Sequence, residues 1–434
     1  MAGIFGVVSE SDCIDDIALG IFYMQNRAED YCGLAWKNGD KNLRNETHKG
    51  LVKVGFTKDK LKEIKGSSAI GCVSGNREPV SELSDTGGMA LCFDGNFYNS
   101  EEIKKNLLDS GVSFTGYHNP EEISDAVLIS KIISREPSFE EGIEKLSKLM
   151  EGDFSIVALT PNGVYAARGW GRKPLILGKK DGSYAVASES VSFVNPGFEI
   201  VRDIEPGEVV FLNTEGIRTL KKLELSPIKF GTFEWIYTAH PASIIDGRSV
   251  ELVRNKIGAL MARKYNIDAD LVSPIPNSGR CHATGFSNES KIPYSEVFKK
   301  FDYCGRSFTP GTDNERYAVA EEKLIPIKVL IEGKKIIIVD DSIVRGTQTH
   351  KQTVRLKKLG AKEVHAVIAC PPLKRACRFG KSIKKNEDCI ACRMSLEEIR
   401  ETRGLDGLYY ASIEILEEAI GIPREKLCTE CWGL

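Results

Sequence analysis

No apolar run in this chain of 434 residues is long enough to span a bilayer. Runs such as Ile336 to Val339 fall far short of the roughly 20 residues that a membrane helix needs. Met1 to Val8 has neither a basic start nor an extended apolar core, so no secretory signal is expected. Charge of one sign is also lacking. Lysine and arginine number 59 against 61 acidic residues, a net of −2, which argues against a broad nucleic-acid surface. There is no internal repeat and no low-complexity tract. What remains is the composition of a soluble globular chain, 41% hydrophobic and 28% charged, with length for two or three domains. A cytoplasmic protein with neither membrane nor nucleic-acid partners is the expectation.

Cysteine, by contrast, is abundant, with twelve residues. Cys13, Cys32, Cys72, Cys92, Cys281 and Cys304 stand alone and read as buried small hydrophobes. The other six follow position 369 and include two CxxC pairs, Cys389 with Cys392 and Cys428 with Cys431. In a large intracellular chain that clustering points to metal before disulfides.

Short β-like runs dominate the first half: Ile4–Val8, Met89–Phe93, Phe154–Leu159, Gly163–Ala167, Tyr184–Ser188 and Glu208–Leu212. Helices are predicted from Asn99 or Ser100, and from Phe139 to Met150. Strands and helices in blocks imply an α+β layered domain. A polar connector, Thr214 to Gly231, is read as separating the halves. Beyond it Val250, Val253, Ile257 and Leu260 follow helical spacing, and β and α segments then alternate through Leu271–Ile275, Lys335–Val339, Thr347–Leu359 and Glu363–Ala369. Alternation of this kind predicts a parallel sheet covered on both faces. Gly360 reads as a helix stop, and Ser395 with Glu398 as a capping box.

The densest chemistry lies in KKIIIVDDSIVRGTQT, Lys334 to Thr349. In an open parallel sheet, ligands sit beyond the carboxyl ends of the strands, so Asp340 and Asp341 should face that crevice. Gly346 allows backbone to approach a ligand, while Ser342, Arg345, Thr347 and Thr349 bring hydroxyls and a cation. The helix that follows offers free N–H groups to a phosphate. A solvated acidic pair would not account for the rest of the segment, and the GxxxxGK[ST] order of a Walker loop is absent. The segment resembles the PRPP-binding motif of type I phosphoribosyltransferases. SPIPNSGR (Ser273 to Arg280), DYCGRSFTPGTDNER (Asp302 to Arg316) and ACPPLKRACRFG (Ala369 to Gly380) come in the order of the glutamine phosphoribosylpyrophosphate amidotransferase family. SIIDGRSV (Ser243 to Val250) and DIEPGEVV (Asp203 to Val210) resemble it too, so the likeness covers essentially the whole chain.

That resemblance implies an N-terminal-nucleophile (Ntn) hydrolase-like domain over 1–228 and a type I phosphoribosyltransferase domain over 229–434. It implies that Asp340 and Asp341 hold the ribose hydroxyls and Mg²⁺. Ser342, Ile343, Val344, Arg345, Gly346, Thr347, Gln348 and Thr349 would cradle the 5′-phosphate. Ser278, Gly279 and Arg280 would line the pyrophosphate side. Arg306, in a mobile-loop-like segment, would stabilise departing pyrophosphate.

The same resemblance exposes missing parts. The family begins MCGIFG, with a cysteine nucleophile and the terminal amine as base; here the residue is Ala2. Ser74 stands where an arginine would grip the glutamine α-carboxylate, and Asp94 where an asparagine would build the oxyanion hole. Asp125 matches the acid that binds the glutamine amine, and Arg27 and Ala187 to Ser190 look like retained scaffold. Some family members carry a [4Fe–4S] cluster. Cys377, Cys428 and Cys431 match three of its ligands, whereas the first ligand position is Gly231, and Cys389 or Cys392 is the candidate fourth. Zn²⁺ on four thiolates and unligated thiols are the alternatives.

The function expected is Mg²⁺-dependent displacement of pyrophosphate from PRPP by a nitrogen nucleophile, without intrinsic glutamine hydrolysis. The acceptor is free or partner-supplied ammonia, or a specialised amine or heterocycle. His240 and Ala242 in AHPAS, with Phe301 and Asp302, depart from the family near the cleft and suit a changed acceptor. A non-enzymatic PRPP-binding regulatory subunit and conventional phosphoribosylamine synthesis are the alternatives. A homo-oligomer, dimer or tetramer, is implied by resemblance.

Overall fold

Wholly apolar or alternating runs become strands, and in the N-terminal half these form two antiparallel sheets. A computed structural model describes residues 1–37, 42–84, 87–114, 123–301, 324–380, 383 and 385–434. The described chain divides into two compact units. The first comprises Met1–Thr232, Thr238–Ser249 and Arg378–Lys381; the second comprises Phe233–Tyr237, Val250–Cys377 and Ser382–Leu434.

In the first unit one sheet runs Glu199–Asp203, Ile176–Lys180, Ser183–Ala187, Gly3–Val8, Ser68–Ser74, Tyr31–Lys37, Leu43–Lys49. The other runs Gly216–Lys222, Glu208–Asn213, Gly163–Arg168, Gly152–Thr160, Gly87–Phe97, Val80–Ser84. Strand alternation divides the core. Ala90 and Cys92 point into the layer between the sheets, with Ile4, Ile70 and Val157. Leu91 and Phe93 point the other way, under the helices Asp125–Ser134 and Phe139–Leu149. The helix Ile14–Phe22 covers the opposite sheet. This is the α+β layering that the block pattern anticipates, in the Ntn arrangement that the resemblance implies.

One expectation needs correction. The supposed connector Thr214 to Gly231 contains a strand, Gly216–Lys222, at the edge of the second sheet. Its side chains are largely exposed and polar, which protects an edge from further pairing and hides the strand from hydrophobic patterning.

The second unit is built on four parallel strands in the order Leu271–Pro274, Lys335–Asp340, Glu363–Ile368, Gly407–Tyr410. Ile336 to Val339 are buried throughout, as strands covered on both faces require. The helix Thr347–Lys358 follows the second strand and ends before Gly360, which has φ +93°. Both bonds of the Ser395–Glu398 capping box are formed. Cys13, Cys32, Cys72, Cys92 and Cys281 are buried, while Cys304 lies outside the described residues. Among the described residues no helix is long and apolar enough to cross a membrane.

The helices Val250–Lys264 and Arg280–Ser290 touch backbone to backbone. A methyl group on Gly258 would overlap the His282 carbonyl, and one on Gly285 the Asn255 carbonyl. Gly285→Ala must therefore push the helices apart, an overpacking that costs about 2 kcal/mol. Urea unfolding should show a lower midpoint for the C-terminal unit; an unchanged midpoint would contradict the close approach.

Candidate active site

Two parallel strands deliver the C-terminal site. Asp340 ends the strand Lys335–Asp340, and Ile275, just past the neighbouring strand, donates its N–H to the Val339 carbonyl at 2.8 Å. The loop of Ser278 and Gly279 thereby lies beside Asp340, whose Oδ1 accepts from the Ser278 hydroxyl at 3.2 Å and from the Asp341 N–H at 2.9 Å. Ser342 donates to Asp341 Oδ2 at 2.6 Å. Burial, then the adjacent Asp341 charge, pushes the Asp340 carboxyl well above the usual range. Ser342 to Gly346 form the turn into the helix Thr347–Lys358, with Gly346 in the left-handed region at φ +70°.

A small cavity beneath Asp340 is lined by Ile275, Ile338, Gln348, Thr349, Gln352 and Ile368. Gln352 is buried and its Nε2 has no hydrogen-bond partner among the described residues, a feature the sequence does not single out. Arg280 opens its helix, but its guanidinium is engaged by Glu296 at 2.8 Å and Asn277 at 2.9 Å. Arg345 pairs with Asp388 at 2.9 Å. Ile343 and Val344 lie within the turn, Ile343 buried. Arg306 and Asp302 lie outside the described residues.

In the N-terminal unit the register Gly3 to Val73 sets Ala2 level with Ser74. The Ala2 nitrogen donates to Asp94 Oδ1 at 2.8 Å, and the Ala2 carbonyl accepts from Arg27 Nε at 2.7 Å. Arg27 also pairs with Asp94 and with Glu189, both at 2.9 Å, and Lys173 approaches Asp94 to 3.6 Å. These side chains are almost inaccessible. Burial alone would raise the Asp94 carboxyl, but Lys173, Arg27 and the chain start outweigh it and hold the group well below the usual carboxylate range. Ser74 donates to Glu78 Oε1 at 3.3 Å, while Glu78 Oε2 accepts from the Phe93 N–H at 2.8 Å. Asp125 is the first residue of its helix. His240 belongs to this unit; its N–H donates to Glu189 at 2.7 Å and its ring accepts from Ala242 N–H. Lys173 and Glu78 are the members that sequence reasoning missed.

Of the clustered cysteines, Cys389 and Cys431 are buried, Cys377 and Cys428 are half-buried, and Cys392 is exposed. The Cys431 thiol is pushed up by burial first and then by Cys377, Cys428 and Cys389. Among the described residues no three side chains converge to metal-ligand spacing. A Cβ at Gly231 would overlap the Arg172 carbonyl, so a cysteine does not fit there without a backbone shift.

A glutamine amidotransferase domain model matches residues 67–195. The chain is 35% identical to the amidophosphoribosyltransferase of Methanothermobacter thermautotrophicus, over 99% of this chain and 92% of that protein. Identity to the amidophosphoribosyltransferase of Methanocaldococcus jannaschii is also 35%, over 99% and 96% respectively. The solved structure of the B. subtilis glutamine PRPP amidotransferase, complexed with ADP and GMP, superposes with a TM-score of 0.91 at 29% identity. It covers 99% of this chain and 96% of that one.

The depressed Asp94 carboxyl has a thermodynamic signature. Its folded value lies below the unfolded one of about 3.9, so its stabilisation is complete above about pH 5 and is lost as pH falls below about 4. Asp94→Asn should destabilise the N-terminal unit at pH 7 by about 3 kcal/mol, the cost of breaking a buried pair. Urea titrations of both proteins should show that gap closing in acid; a gap constant down to about pH 3 would refute the assignment.

Proposed function

The chain belongs to the amidophosphoribosyltransferase family, and from that premise we propose that it moves phosphoribose from PRPP to nitrogen not released by its own glutaminase. It is a PRPP-dependent pentosyltransferase, as its relatives are. The observation that carries the finer reading is the Asp94 carboxylate, 2.8 Å from the Ala2 nitrogen and 2.9 Å from Arg27. Glutamine hydrolysis needs a nucleophile at the first of these positions and a hydrogen-bond donor for the oxyanion at the second. Ala2 offers a methyl group, and Asp94 offers a negative charge whose partners are already in place. Where a cation should grip the substrate carboxylate, the Ser74 hydroxyl is bound to Glu78, itself a carboxylate.

On the donor side, Asp340 and Asp341 take the ribose hydroxyls, and Ser342 to Thr349 take the 5′-phosphate. The acidic pair fits Mg²⁺, because buried adjacent carboxylates resist joint ionisation until a cation joins them. Magnesium, when bound, neutralises charge on the pyrophosphate leaving group. The nitrogen lone pair forms the bond to C1 as the bond from C1 to the pyrophosphate oxygen breaks. Arg306 answers the developing charge. Ser278, Gly279 and the N-terminus of the Arg280 helix face the leaving group. The acceptor is ammonia from solution or a partner, or another amine. Assembly as a dimer or tetramer follows the family.

For the cysteines we assign Cys377, Cys389, Cys428 and Cys431 to one centre, with [4Fe–4S] preferred to Zn²⁺ and the exposed Cys392 left out. Four thiolates in one neighbourhood suit either group, which would supply a structural cross-link. All four lie in the C-terminal unit, whereas the lost family position, Gly231, lies in the other.

Pyrophosphate release from PRPP with Mg²⁺ should occur with ammonium or an amine and not with glutamine, and Asp341→Asn should lower it about 100-fold or more. Glutamine-driven turnover would overturn the reading. Ala2→Cys should restore no glutamate release, since Asp94 would still oppose the oxyanion; measurable glutaminase activity in that single variant would remove Asp94 from the argument. Visible absorption and iron content should disappear in Cys389→Ser and persist in Cys392→Ser.

A further inference from the structure

The segment between the cysteines rests directly on the phosphate turn. Ile390 donates its N–H to the Val344 carbonyl at 2.8 Å. A peptide unit is planar and trans, so fixing the Val344 carbonyl on one side turns the Arg345 N–H to the other. The side chain of Ile390 closes the back of the turn: a Cβ on Gly346 would meet its Cδ1 at 3.1 Å and Arg403 Cδ at 3.4 Å. Ile390 is 1% exposed. Asp388 completes the strut, holding the Arg345 guanidinium at 2.9 Å. Three consecutive loop residues, Val344, Arg345 and Gly346, are thus held from one short segment.

We propose that Asp388 and Ile390, which flank the buried Cys389, are positioning residues for the 5′-phosphate turn. The strut acts on backbone that would donate to phosphate without itself touching substrate. The proposal rests on the reading of Ser342 to Thr349 as the phosphate site.

The test uses the full-length protein with PRPP and Mg²⁺ but no acceptor. PRPP affinity is measured by calorimetry, and amide exchange is followed in the peptide spanning 342–349. Ile390→Ala should bind PRPP about tenfold more weakly, the worth of the side-chain packing lost behind Gly346. Exchange should quicken in that peptide, and Ile390→Val should restore both readouts. In turnover, KM for PRPP should rise with kcat within about twofold, as expected for lost positioning of bound substrate. Asp388→Asn, at a partly exposed residue, should weaken binding about threefold, in line with an exposed pair worth under 1 kcal/mol. It carries the test should Ile390→Ala not fold. Cys392→Ser should match the unaltered protein. Folded strut variants with unaltered affinity and exchange would overturn the proposal, whereas an unaltered protein that binds no PRPP would overturn the phosphoribosyl reading instead.

Discussion

A guanidinium without solvent organises the N-terminal unit. Arg27 pairs with Asp94 and Glu189 through side chains at 0–1% exposure, and Lys173 adds a second cation beside Asp94. Two cations against two carboxylates leave the group neutral, the condition under which buried charge is tolerable. The remaining hydrogen-bonding capacity is spent as well. Arg27 Nε goes to the Ala2 carbonyl, and Glu189 Oε2 accepts from His240 N–H and Ser243 hydroxyl. The network therefore joins the first strand, the strand Gly87–Phe97 and the turn after Ser183–Ala187. Removing any member would strand a charge in the core.

That neutrality bears on the proposed loss of glutaminase chemistry, which is then not a matter of one atom. An oxyanion site must be short of negative charge before substrate arrives, so that the developing oxygen is stabilised by donors already in place. The position of Asp94 has been given the reverse character. The carboxylate satisfies Arg27 and Lys173, and a further anion would unbalance the group. The C-terminal site has the complementary construction. Asp340 and Asp341 adjoin one another, and their described partners are the hydroxyls of Ser278 and Ser342 rather than cations. Among the described residues no cation pairs with them, which suits the proposed site for a cation and a ribose diol.

Much of this was legible from residue patterns, for physical reasons that differ from place to place. The strand before Asp340 was readable because its four apolar residues are branched or buried on both faces, and the acids and Gly346 that follow can only be a turn. Ala2, Ser74 and Asp94 were readable one by one, as departures from a family pattern. Their convergence was not, because Lys173 enters from a loop distant in sequence and Glu78 folds back from the turn after the strand that ends at Ser74. The edge strand Gly216–Lys222 was invisible for the opposite reason, its side chains being polar where an edge faces water. For the cysteines, spacing treats Cys389 and Cys392 alike; burial separates them.

The same distinction bears on why the cysteine centre would shift within this chain. A thiol at Gly231 would belong to the N-terminal unit, and the Arg172 carbonyl leaves no room for its Cβ. On the proposed set every ligand lies in the C-terminal unit. Its new member sits beside the hydrogen bond from Ile390 to Val344. A ligand bond there adds order where catalysis needs it, at the turn whose N–H groups must already point at phosphate before PRPP arrives. A rigid donor site matters because the acceptor must meet C1 on the face opposite the departing pyrophosphate.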